Sequence, residues 1–92
     1  MALYLISYDI AEKDAFEYKA LWDKLKALGA TKILYSEWAV SGESAAEIYN
    51  EICGLVQGKD RLLVQELTRD AVWDKLLVSD EVFKKLLVGA RQ

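Results

Sequence analysis

The residues with chemistry to offer gather near the start of the chain. Asp9 ends the apolar run Leu3-Tyr4-Leu5-Ile6-Ser7-Tyr8, and Glu12 and Asp14 follow it closely. A carboxylate at the end of a buried strand is held by rigid scaffold, where it can ligate a divalent cation or move a proton. The same carboxylate can instead cap the loop that follows. Asp9, Glu12 and Asp14 together could hold Ca²⁺ or Mg²⁺ weakly. The segment lacks the glycine and the bidentate glutamate of a calcium-binding loop, and a solvated acidic loop is the plainer expectation. Tyr8 reads as a core or interface aromatic with a satisfied hydroxyl. Cys53 falls on an apolar helical stripe with no basic neighbour in sequence to activate it, so a buried structural thiol is expected.

Histidine is absent from the chain. That removes Ser-His-Asp and Cys-His catalysis and the ordinary His-containing zinc sites. The 92 residues suffice for one domain, 53% of them are hydrophobic, and the net charge is -3. A core is therefore available, although a chain this short gains from oligomerisation. The charge argues against a broad nucleic-acid field and leaves room for a local basic patch. One cysteine fits a reducing, cytoplasmic setting. No signal-peptide pattern opens the chain, and no apolar run reaches membrane-spanning length.

The elements that would position these groups follow from periodicity. Residues 2–9 read as a strand with two apolar faces, Leu3, Leu5 and Ser7 on one and Tyr4, Ile6 and Tyr8 on the other. A strand apolar on both faces is covered on both. Helices can cover one side, and a second protomer is the natural candidate for the other. Ala11 to Ala15 is a polar loop with Asp14 as N-cap. Phe16 to Leu28 is helical, with Tyr18, Leu21, Trp22, Leu25 and Leu28 as its stripe and Gly29 as C-terminal cap. Thr31 to Val40 is extended, as one bent strand or two around a bulge at Ser36-Glu37-Trp38, and Ser41-Gly42 ends it.

Ser44 and Glu47 form a capping-box pattern ahead of a helix with Ile48, Tyr49, Ile52, Cys53 and Val56 inward. Gly58-Lys59-Asp60 is a turn, and Arg61 to Leu67 is the next strand. Two similar segments, 72–78 and 82–88, predict two short helices with Asp70 and Asp80 as N-caps, and Lys84-Lys85 on a solvent face. Trp38 and Trp73 are expected at a dimer interface, where aromatics are enriched. The order is β-α-β-β-α-β with a helical tail. It predicts a single α+β domain: a ferredoxin-like sandwich over residues 1–67, an antiparallel sheet with two helices on one face, and a tail over 68–92.

Over roughly residues 1–67 the chain resembles the Cas-two family, the small subunit of CRISPR adaptation. The likeness rests on Tyr4-Leu5-Ile6-Ser7-Tyr8-Asp9-Ile10, on Gly29 to Trp38, and on a Lys-Asp turn leading into Arg61-Leu62-Leu63-Val64. The resemblance implies a homodimer in which Asp9 of both protomers holds Mg²⁺ for phosphodiester cleavage. It also implies phosphate contacts from arginines in the first helix and near the second strand. Here the first helix offers Lys19, Lys24 and Lys26, the second strand offers Lys32, and the only arginines are Arg61, Arg69 and Arg91. Lysine does not reproduce the bidentate fork of arginine on phosphate.

The expectation is a diverged, stand-alone relative, a homodimer acting as a structural or binding module. The alternatives are a Mg²⁺-dependent endonuclease on RNA or DNA through Asp9, and a toxin-like ribonuclease of the related virulence-associated type. A nuclease should gather Lys19, Lys26, Lys32 and Arg61 on one face beside Asp9; a binding module would scatter them.

Overall fold

The computed structural model describes residues 2–10, 15–56, 60–68 and 70–89. The elements run β1 (Ala2–Asp9), α1 (Ala15–Ala27), β2 (Thr31–Leu34), β3 (Glu37–Gly42), α2 (Ala45–Ile52), a 3-10 turn (Cys53–Leu55), β4 (Arg61–Leu67) and α3 (Asp80–Gly89). The four strands form one sheet in the order β2-β3-β1-β4, and every neighbouring pair is antiparallel. The fold is thus α+β. No described helix is long and apolar enough to cross a membrane.

The two faces of β1 are both apolar, as the alternation predicts. Tyr4, Ile6 and Tyr8 pack with Trp38 and Val40 of β3 against Leu21 and Leu25 of α1 and Ile48 and Ile52 of α2. Two helices therefore share one face of the sheet. On the other face Leu3, Leu5, Ile33 and Ala39 meet Phe83, with Trp73, Leu76, Val78, Leu86 and Leu87 packed around it. The expected second protomer is not needed to cover this face, because the chain's own residues 73–87 do so. Trp38 and Trp73, expected at a dimer interface, are spent inside the chain. Trp38 is buried among the helices, and Trp73 stacks edge-to-face on Phe83 with ring centroids 4.7 Å apart.

Among its described residues the tail holds one helix rather than two. Lys75 adopts a left-handed φ of 56°, which interrupts a helix, and the Leu77 N–H donates to the Ile33 carbonyl of β2 at 2.9 Å. Residues 73–78 are laid across the sheet, with Trp73, Leu76 and Val78 half-buried against it and Asp74, Lys75 and Leu77 exposed. α3 is capped by Ser79, whose hydroxyl accepts from the Val82 N–H, while Asp80 accepts from the Trp73 indole. Asp80 is thus the first helical residue, not the cap, and Asp70 begins no helix.

Local chemistry explains the other boundaries. Gly29 sits at φ +83°, with Ala30 N–H on the Leu25 carbonyl and Gly29 N–H on the Lys26 carbonyl, the paired bonds of a Schellman ending. Ser44 Oγ accepts from Glu47 N–H at 3.1 Å and starts α2. The stretch 31–42 is two strands joined at Tyr35-Ser36, with a register shift between Lys32 and Leu34, and β3 runs through Ser41 to end at Gly42. α2 stops at Ile52 and tightens into the 3-10 turn, leaving Tyr49 exposed and Cys53 half-buried, both expected inside. Ile48 and Ile52, four apart, take the inward positions, which turns Tyr49 about 100° away. The loop Ala11–Asp14, with its cap and its acidic pair Glu12 and Asp14, lies outside the described residues, as do Gly58 and Lys59 of the second turn.

Candidate functional site

The end of β1 places successive side chains on opposite sides of the sheet. Tyr8 points into the helix face, and its N–H donates to the Ser36 carbonyl at 3.0 Å, tying β1 to the β2–β3 turn. Its hydroxyl accepts from two indoles, Trp38 Nε1 at 3.0 Å and Trp22 Nε1 at 3.2 Å. Lys32, opposite Trp38 in the ladder, holds its ammonium 5.8 Å from the Trp22 ring centroid and 5.7 Å from that of Tyr35. A cation over an aromatic face is attracted by the ring quadrupole. The cluster fixes the β1 terminus firmly.

Asp9 emerges on the other face. Its carboxylate lies 3.6 Å from Arg61 Nη1, its partner across the β1–β4 ladder, and the side chains are 74% and 84% exposed. So wet an ion pair contributes at most about 1 kcal/mol. Ser7 shares this face, with Glu37 opposite it on β3 and Leu63 opposite it on β4. The tail covers Leu3 and Leu5 and stops short of this corner, leaving Leu63 53% exposed. Ser7, Asp9, Glu37, Arg61 and Leu63 therefore form an open, mixed patch at one end of the sheet. Among the described residues no three Asp, Glu, Cys or His side chains come together as a metal group.

The other basic residues lie apart from Asp9. α1 is on the helix face, so Lys19, Lys24 and Lys26, like Lys32, stand across the sheet from Asp9 and Arg61. Lys19 bonds Asp23 at 2.7 Å and Lys24 bonds Glu51 at 3.0 Å. The Lys19 hydrogen bond holds the Asp23 carboxyl below its usual value, with the charges of Lys19 and Lys26 adding to the effect. Arg61 alone of the expected phosphate contacts adjoins Asp9. Arg69 and Arg91 lie outside the described residues.

No known family model matches the chain. The site must be read from its own geometry. Cys53 is half-buried, and its thiol lies 3.9 Å from the Asn50 carbonyl of the preceding turn. Glu37, legible in the sequence as part of a polar interruption at a bulge or as a sheet-face contact, is set beside Ser7 by the β1–β3 register. Sequence reasoning passed over the spacing of Glu43, Glu47 and Glu51, four residues apart each time, although that spacing was visible in the chain.

Proposed function

We propose that this protein is a small binding or structural module with a ferredoxin-like fold, a diverged stand-alone relative of the Cas-two family that works as a homodimer. The strand order supports the fold assignment: taken from the β4 edge it reads β4-β1-β3-β2, with each helix linking strands that are not neighbours. The observation that carries the functional reading is the Asp9–Arg61 pair. A guanidinium beside the carboxylate supplies, weakly and at the surface, part of the positive charge that a divalent cation would bring. The dimer is supported by the edge strand β4, whose Leu63 is left largely exposed at the open corner. An edge strand with bare backbone groups is a ready surface for pairing.

A second reading retains support from the same corner. Asp9, Ser7 and Glu37 share an uncovered face, and two carboxylates on one face could hold Mg²⁺ for an endonuclease acting on RNA or DNA, or for a toxin-like ribonuclease. The readings separate by incubating the purified protein with labelled RNA and DNA and Mg²⁺, beside Asp9→Asn. The binding module leaves both substrates intact with either protein. Cleavage that Asp9→Asn abolishes establishes the nuclease instead. Light scattering at micromolar concentration should give the mass of two chains, and a one-chain mass removes the dimer.

A further inference from the structure

We propose that a groove on the helix side of the sheet docks a basic, partly apolar peptide segment of a partner protein. The groove has a volume of about 480 Å³ and runs between the end of β3, α2 and the end of α1. Val40 and Ile48, both buried, and Leu28, half-buried, form its floor. Its rim carries Glu43, Glu47 and Glu51, all exposed. Gly42 lets α2 approach β3 closely here: a Cβ at that position would lie 2.8 Å from Ile48 Cδ1.

The rim is unbalanced. Lys24 neutralises Glu51, and Glu43 and Glu47 have no ion-pair partner among the described residues. Glu51 is offset by Lys24 and Glu47 sits favourably in the first turn of α2, so the uncompensated charge of the rim lies at its Glu43–Glu47 end. An apolar floor between carboxylates fits an aliphatic side chain flanked by cationic ones. Lysine and arginine suit the edges doubly, since their methylene stems lie on apolar surface while the charged ends reach the carboxylates. An acidic or purely polar peptide would meet repulsion at the rim or leave the floor wet.

This inference rests on the binding reading and names the partner chemistry; it does not depend on the family likeness or the dimer. The probe is the blocked pentapeptide Lys-Leu-Lys-Leu-Lys, titrated into ¹⁵N-labelled protein. Its controls are Glu-Leu-Glu-Leu-Glu and Lys-Ser-Lys-Ser-Lys. Saturable amide shifts confined to Leu28, residues 40–43 and residues 47–51 are expected with the first peptide alone. Replacing both unpaired rim acids, Glu43→Gln with Glu47→Gln, should weaken that binding roughly tenfold without unfolding the protein, since both side chains are exposed. Shifts that are absent, that centre elsewhere, or that survive the double substitution overturn the groove. The nuclease test is independent: intact RNA and DNA with a silent groove would remove this partner and leave the module reading standing.

Discussion

Phe83→Ala should cost about 3–5 kcal/mol of unfolding free energy, the range for truncating a buried phenylalanine. Phe83 is the fully enclosed residue of the tail. It fills the space over Leu3, Leu5, Ile33 and Ala39, and Trp73 leans on its ring edge-to-face. Without it the tail keeps only half-buried anchors: Trp73, Leu76, Val78, Leu86 and Leu87. A domain of this size has roughly 5–15 kcal/mol in total, so the loss would take a large fraction of the stability. Chemical denaturation measures the loss. Limited proteolysis locates it, with the first cuts expected in 70–89. A cost within about 0.5 kcal/mol, the range of ordinary surface changes, would mean that the tail does not cover the sheet in solution. The second face would then be free for a partner, as its composition alone suggests.

Tyr8→Phe tests the other face. Removing the hydroxyl takes the acceptor from two indole N–H groups at once. The Trp38 bond is buried, and its donor is left without a partner. Trp22 is half-buried, and its N–H can turn to water more readily. A buried unsatisfied donor costs about 1–3 kcal/mol. For a chain of this length the melting temperature should fall roughly 4–8 °C per kcal/mol. Trp38→Phe combined with Tyr8→Phe should cost less than the sum of the two single changes, because the orphaned donor goes with its ring. A Tyr8→Phe protein as stable as its parent would show that the indoles do not depend on Tyr8.

Much of the fold is legible in the chain because it is written in local terms. The pleat of β1 assigns Leu3 and Leu5 to one face and Tyr4, Ile6 and Tyr8 to the other, and both cores follow that division. The α1 stripe, the Gly29 ending and the Ser44 cap need only spacing and turn chemistry. The tail is different. Residues 72–78 and 82–88 look alike, yet one lies irregularly across a sheet and the other coils. What separates them is the position of Leu3, Leu5 and Ile33, a long-range fact that no window of sequence contains. The packing of Trp38 and Trp73 within the chain escapes the sequence for the same reason: an apolar face announces that it will be buried, not by what.

The candidate site follows the same rule. Asp9 could be placed at a strand end from the run that precedes it. Its neighbour Arg61 is fixed by the β1–β4 register, and register depends on how the strands meet. The convergence of Trp22 and Trp38 on one hydroxyl likewise needs α1 and β3 in place. Glu43, Glu47 and Glu51 were legible as a spacing, but a groove is needed before that spacing becomes a rim.

The central proposal is that Asp9 serves as the surface partner of Arg61 and not as a metal ligand. Substoichiometric Mn²⁺ added to ¹⁵N-labelled protein tests it most directly, because a bound paramagnetic ion broadens the amides around it. The wild-type protein and Asp9→Asn should broaden alike, with no selective loss at Ser7, Tyr8, Asp9, Glu37 and Arg61. Broadening centred on those residues in the wild type and abolished by Asp9→Asn would contradict the account and make the open corner a metal site.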